Sequence, residues 1–277
     1  MLPVPTGCGI RKTGCDCLAR IYPLFSSSSG NAEFIGTPEG GILIDCGVSA
    51  RRLTLALERC GIRPEAVQGI FITHDHSDHV KGLRVFTKKY GTPVYAQHMT
   101  RQCLYSCGWL DPEQPCTELT GTAECAGIRI TPFATSHDTA QSCGYRMEMP
   151  DGRVCAVCTD LGYVSEDVAA ALTGCDLVLL ESNYDKNMLR TGPYPAQIKM
   201  RIASQVGHLS NDDCAAEARA LVSTGTAHLV LGHLSQHNNT PALAEQTAEA
   251  GLAGFVRGQD YTLRTAAPET DGRMIVF

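Results

Sequence analysis

Short apolar runs recur along this chain, and several of them stop at an Asp or a His followed by turn-forming residues. Gly69-Ile70-Phe71-Ile72-Thr73 leads into His74. Gly127 to Thr135 leads into Ser136-His137-Asp138, Arg153 to Thr159 into Asp160, and His228-Leu229-Val230-Leu231 into Gly232-His233. Leu177 to Glu181 is a further run of the same kind. Such runs are too short for typical helices and rich in β-branched residues, so they predict buried strands. Phe34-Ile35 and Ile42 to Asp45 predict a first hairpin across Pro38-Glu39-Gly40-Gly41, and Cys116 to Met149 predicts several strands divided by Gly and Pro turns. Helical spacing runs from Ala50 to Cys60, stopping at Gly61, and from Val80 to Tyr90, stopping at Gly91. Two more helices are predicted at Asn211 to Ser223, capped by Ser210 or Asn211, and at Pro241 to Ala250. Strands thus alternate with helices, with no internal repeat, low-complexity tract or interdomain linker.

The polar residues at the strand ends carry the chemistry. His74-Asp75-His76-Ser77-Asp78-His79 places three of the chain's nine histidines within six residues, on the loop leaving a strand. A histidine-rich surface loop is the plainer explanation. It fits poorly with this spacing directly after a buried strand, which can aim the side chains at one point. Imidazole nitrogens and carboxylate oxygens suit a borderline divalent ion such as Zn²⁺, Mn²⁺ or Fe²⁺. His74 and His76 can serve one ion, and Asp78 and His79 point to a second. His137, Asp160 and His233 are each weak signals alone, since a single His after a strand is usually a satisfied polar residue. In series with the first motif they become candidate ligands.

The ordered set Asp45, His74/His76/Asp78/His79, His137, Asp160 and His233 resembles the metallo-β-lactamase superfamily, across nearly the whole chain from about Ile21 to Phe277. The resemblance implies an α/β fold, a four-layer αβ/βα sandwich with two divalent ions along one edge. It assigns His74, His76 and His137 to the first ion, Asp78, His79 and His233 to the second, and Asp160 as a bridge. Asp45 matches a residue that supports the ligand loop rather than binding metal, fixing a histidine tautomer. Two further stretches, Phe25-Ser26-Ser27-Ser28-Ser29-Gly30-Asn31 and Gly207-His208-Leu209-Ser210-Asn211 with Gly232 to Asn239, are similar to the YycJ/WalJ-like branch. Members of that branch look like DNA exonucleases. The pair His208 and His233 also resembles the tRNA 3′-processing ribonucleases of the superfamily, which implies that His208 acts near the scissile phosphate.

Composition agrees with a globular enzyme. The chain of 277 residues is 43% apolar and 19% charged, far from disordered compositions. No apolar run approaches the roughly 18 residues that span a bilayer, and the first twenty residues lack a signal-peptide core. Expected are a cytoplasmic protein without membrane attachment, a poorly ordered segment over residues 1–20, and one domain over 21–277. The fourteen cysteines do not predict disulfides or a zinc ribbon. Cys155 and Cys158 have CxxC spacing but lie within one strand, which points them to opposite faces. Cys46 and Cys175 also flank apolar runs, where a reduced thiol acts as a small hydrophobe. Cys8, Cys15 and Cys17 form a looser cluster near the start.

Two divalent ions activate water at neutral pH and offset the charge on a phosphodiester, so phosphoryl transfer to water is the natural reaction. Asp160, Asp78 and His208 are the expected catalytic residues, with His208 donating a proton to the leaving oxygen. Asn238, Asn239, Ser29 and Asn31 are candidate substrate contacts. The net charge of −6 argues against a general nucleic-acid binder. Basic clusters nevertheless occur at Arg51/Arg52, at Lys81/Arg84/Lys88/Lys89 and at Lys186/Arg190/Lys199/Arg201, the last preferred for a nucleic-acid backbone, with Tyr184 and Tyr194 as stacking surfaces. The expected activity is that of a dinuclear metal-dependent phosphodiester hydrolase with nucleic acid as substrate. A DNA exonuclease is favoured on branch resemblance; the alternatives are a small-molecule phosphodiesterase and a glyoxalase II-type thioester hydrolase. The short C-terminal stretch after His233 counts against the thioesterase, and the His after Asp78 counts against a zinc β-lactamase.

Overall fold

In a computed structural model, residues 19–37 and 39–277 are described. The expectation of a poorly ordered N-terminus, and the cluster Cys8, Cys15 and Cys17, fall outside the described residues. The first half contains β1 (Arg20–Ser27), β2 (Gly30–Thr37), β3 (Gly40–Ile44), α1 (Ala50–Arg59), β4 (Val67–Ile72), α2 (Ser77–Val80), α3 (Leu83–Tyr90), β5 (Val94–Ala96), α4 (His98–Ser106) and β6 (Cys116–Glu118). The second contains β7 (Ala123–Cys125), β8 (Ile128–Ala134), β9 (Cys143–Glu148), β10 (Val154–Cys158), α5 (Glu166–Leu172), β11 (Leu177–Glu181), α6 (Lys186–Thr191), α7 (Ala196–Ile202), α8 (Asn211–Ser223), β12 (His228–Gly232), α9 (Pro241–Gly251), β13 (Thr262–Thr265) and β14 (Ile275–Val276).

Two mixed sheets result, ordered β14-β1-β2-β3-β4-β5-β6 and β13-β12-β11-β10-β9-β8-β7. Strands β3, β4 and β5 run parallel, as do β10, β11, β12 and β13, so their carboxyl ends share a direction within each sheet. The last strand, β14, returns to pair with β1, Ile275 opposite Ile21.

Burial explains why the apolar runs are continuous. Leu177 and Leu179 face the core between the sheets, while Val178 and Leu180 face the helices α5 and α8. A strand covered on both faces has no polar alternation to show. The first sheet repeats this: Ile42 and Ile44 point between the sheets, and Leu43 points to the layer holding Leu53 and Leu57 of α1 and Phe86 of α3. Helix, sheet, sheet and helix are thus four layers around three apolar seams, the predicted αβ/βα sandwich. Cys155 lies in the inter-sheet seam and Cys158 in the outer one, as the strand geometry requires. Burial pushes both thiols well up from their ordinary value, so neither offers a thiolate.

Two expectations change in detail. The single helix predicted from Val80 to Tyr90 is broken at Lys81-Gly82 into α2 and α3. Gly82 donates its N–H to the carbonyl of Cys46 at 2.9 Å, and a Cβ there would come within 2.0 Å of the Val48 carbonyl oxygen. The close crossing of two loops therefore fixes the break. The strands β1 and β5 and the helices α4 to α7 were not anticipated; β1 contains Pro23, and β5 is only three residues long. Among the described residues no helix is long and apolar enough to cross a membrane.

Candidate metal centre

The candidate residues converge where the carboxyl ends of β3, β4, β10, β11 and β12 meet along one edge. Among the described residues four non-glycine residues have left-handed backbone, and three of them are Asp45 (φ 62°), Asp160 (φ 59°) and His233 (φ 54°). Asp45 and His233 directly follow β3 and β12, and Asp160 lies one residue beyond the end of β10, after Thr159. The left-handed turn ends the extended path at once and redirects the side chain, a conformation that costs a non-glycine residue roughly 1–2 kcal/mol. Strain of this kind concentrates at functional sites.

Donor atoms fall into overlapping groups within 4.8 Å of one another: His74, His76 and His137; Asp78, His79 and His233; His74, His79 and Asp160; and Asp160, Glu181, His208 and His233. The first two groups are the trios expected for the two ions. Asp160 lies between them, with Oδ1 3.5 Å from His137 Nε2 and Oδ2 3.3 Å from His79 Nε2. Asp75 is turned aside and accepts a hydrogen bond from the Thr139 hydroxyl.

Most of the imidazoles are oriented from behind. The Asp45 carboxylate accepts from the Thr73 N–H (2.9 Å), the Thr73 hydroxyl (2.8 Å) and His79 Nδ1 (2.7 Å), leaving His79 Nε2 toward the cluster. With its proton given to Asp45, the Thr73 hydroxyl can accept from His74 Nδ1 at 3.0 Å. His137 Nδ1 donates to the Gly207 carbonyl at 3.0 Å. His233 Nδ1 lies 2.7 Å from Glu181 Oε1, and its backbone N–H donates to the Ser26 hydroxyl at 2.8 Å. Such partners fix tautomer and direction, as in metal-binding histidines generally.

These residues fit a divalent cation on two observations. His74 Nε2, Asp160 Oδ2 and His233 Nε2 are buried without a hydrogen-bond partner. Leaving each buried donor or acceptor unpaired costs about 1–3 kcal/mol, which coordination would remove. The electrostatics agree. Burial alone would push the His79 imidazolium down, yet Asp160, Asp45 and Asp78 outweigh it and hold it well above its ordinary range. Burial opposes ionisation of Asp160 too, but His233, His79, His74 and His137 keep it well below the usual carboxylate range. The carboxylates of this pocket demand positive charge.

The structure reassigns several candidate substrate contacts. Asn31 is buried, with its amide 3.0 Å from His79 Nε2 and 3.3 Å from Asp78 Oδ2, so it braces the ligand cluster rather than a substrate. Asn239 is spent on the fold: its amide nitrogen donates to the carbonyls of Ser182 and Asn183, and it forms a reciprocal amide pair with Asn211. Asn238 is fully buried against Ser235. Of the four, only Ser29 is exposed, in the turn between β1 and β2.

Glu181 and Ser26 were missed. Glu181 is fully buried, and its carboxylate accepts from the backbone N–H of Leu161 and of Leu209, both at 3.1 Å. It also lies 2.8 Å from His208 Nδ1. Burial would raise its pKa, but His208 and His233 bring it down to about 2. The available signal was an apolar run ending in an acid, the pattern that also marks Asp45.

An Asp45→Ala variant is expected to fold but to bind metal about 10–100-fold more weakly, since it frees Thr73 and His79 together. Titration with Zn²⁺ in competition with a chromogenic chelator measures this, and an unchanged affinity would remove Asp45 from the site.

Comparison with known proteins identifies the family. A family model described as a Beta-lactamase superfamily domain matches residues 41–234. The chain is 35% identical over 250 residues to an exodeoxyribonuclease YycJ of Bacillus anthracis, covering 89% of this chain and 94% of that protein. An exodeoxyribonuclease WalJ of Streptococcus pneumoniae is 35% identical over 253 residues with the same coverage. The metallo-β-lactamase fold protein YhfI of Bacillus subtilis superposes with a TM-score of 0.70 at 14% identity, over 94% of this chain and 99% of that one. Sequence, fold and site geometry agree that this chain belongs to the metallo-β-lactamase superfamily of metal-dependent hydrolases, in its YycJ/WalJ-like branch.

Proposed function

We propose that residues 21–277 act as one domain and that the protein is a dinuclear phosphodiesterase whose substrate is DNA, degraded from an end. His74, His76 and His137 would hold one ion, Asp78, His79 and His233 the other, with Asp160 shared. Zn²⁺, Mn²⁺ and Fe²⁺ all suit these donors. When bound, the ions supply charge neutralisation for the phosphodiester oxygens and make water a nucleophile at neutral pH.

The observation that carries the reading is His208. It stands beside the expected ligands, 3.6 Å from Asp160 Oδ1, and its side chain is 17% exposed while those of His74, His79 and His233 are buried. Glu181 engages Nδ1, which leaves Nε2 for the substrate. A partly open imidazole at this position can deliver a proton to the leaving oxygen, a contribution typically about 10²–10⁴-fold. The choice of DNA is supported by the names of relatives that match nearly their whole length.

The test is hydrolysis of end-labelled single- and double-stranded DNA and RNA with Mn²⁺ or Zn²⁺, beside a chelated control. Metal-dependent, stepwise loss of nucleotides from a DNA end is expected. Turnover of a small phosphodiester or thioester with no cleavage of any nucleic acid would instead make the substrate a small molecule.

A further inference from the structure

Helices α6 and α7 enclose a groove of about 600 Å³. Its floor is apolar, formed by Leu189, Ala196, Met200 and Ala203, with Lys186, Arg190, Lys199 and the acid Asp213 around it. Ala196, Met200 and Ala203 are spaced at three and four residues, so one face of α7 lines it. Met200 is 65% exposed, and Ile198 on the same helix is 40% exposed, an unusual amount of apolar surface for a seven-residue helix.

The rim cations differ in their commitments. Lys186 is neutralised by Asp212 at 3.2 Å and Asp213 at 3.7 Å. Arg190 and Lys199 have no carboxylate partner among the described residues. Lys199 Nζ donates to the Arg190 carbonyl at 2.8 Å, which holds the two side by side.

The same helix reaches the candidate metal centre. Arg201 of α7 forms a two-pronged pair with Asp138, and Asp138 Oδ1 lies 3.5 Å from His137 Nε2 and 3.9 Å from His76 Nε2. At the end of α7 the Ile202 carbonyl accepts the backbone N–H of His208 at 2.9 Å. The helix that lines the groove thus also contacts the residues around the candidate metal centre.

We infer that this groove is a subsite for an unpaired strand of the nucleic-acid substrate, its bases against the apolar floor and its phosphates at Arg190 and Lys199. This rests on the nuclease reading. Aliphatic side chains beside uncompensated cations match a strand that alternates base faces with phosphates, and contacts of this kind read no base edge. Two copies of a chain with net charge −6 repel one another overall, which counts against a second copy as the occupant.

The test compares the metal-loaded wild type with Met200→Glu and with the double variant Arg190→Ala/Lys199→Ala. Steady-state kinetics would use a single-stranded oligodeoxynucleotide and, in parallel, bis(p-nitrophenyl) phosphate. Both variants are expected to raise KM for the oligonucleotide at least about tenfold, with metal content and turnover of the small diester within twofold of wild type. The double variant should also show a shallower dependence of KM on salt, because phosphate contacts are lost. Wild-type cleavage of DNA with both variants unchanged would overturn the groove alone. A wild type that turns over the small diester but neither binds nor cleaves DNA would overturn the nuclease reading, and the groove with it. A concentration-dependent dimer abolished by Met200→Glu would assign the groove to a second copy and overturn the subsite.

Discussion

Replacing Asp160 by alanine is expected to lower phosphodiester hydrolysis by at least about 10³-fold, about 4 kcal/mol of transition-state stabilisation. It should also lower bound metal. Asp160 is 2% exposed and faces His79, His137, His208 and His233 at once. Its Oδ2 has no hydrogen-bond partner, so the side chain contributes little to the fold by that atom and much to a cation. Alanine changes two things at this position, the ligand and the backbone preference, because φ is 59°. Asp160→Asn separates them: asparagine tolerates the left-handed region and keeps the shape while removing the charge. If Asn and Ala lose metal and turnover alike, coordination is the cause. Metal counted by mass spectrometry beside kcat decides it, and full activity in either variant would refute a shared role for Asp160.

The legibility of this site in the sequence followed from how it is built. His74, His76, Asp78 and His79 lie within six residues, so local pattern brought them forward; His137, Asp160 and His233 follow predicted strands and gained weight only in series with them, and Asp45 through the family resemblance. The left-handed turns at Asp45, Asp160 and His233 are the physical form of that pattern, a strand that stops abruptly at a polar residue. What stayed hidden depends on tertiary placement. Glu181 looks like the outer end of a strand until β11 is seen between β10 and β12, which puts its carboxylate beneath both His208 and His233. Asn238 and Asn239 looked like loop residues open to a ligand, whereas the loop folds inward and Asn239 bonds Ser182, Asn183 and Asn211. The four layers were legible only through family resemblance, since a run such as Leu177 to Leu180 does not show which residues face which seam.

The effect expected next in size comes from His208→Ala, which should retain both ions and slow hydrolysis about 10²–10⁴-fold. The geometry contains a competing arrangement, because Asp160, Glu181, His208 and His233 also bring donor atoms within 4.8 Å. The hydrogen bonding argues against an ion there. Glu181 Oε1 lies 2.8 Å from His208 Nδ1 and 2.7 Å from His233 Nδ1, distances for N–H donors on a carboxylate rather than for nitrogens sharing a cation with it. Glu181 then acts as a common anchor, aiming His233 at the ligand cluster and His208 at the substrate. The two roles separate experimentally. His208→Ala should reduce kcat with metal content preserved, while Glu181→Gln should weaken metal binding through His233 and reduce kcat through His208. Loss of metal in His208→Ala would make His208 a ligand and require His233 to be reassigned. A Glu181→Gln variant with the defect of His208→Ala and undiminished metal affinity would show that Glu181 serves His208 alone.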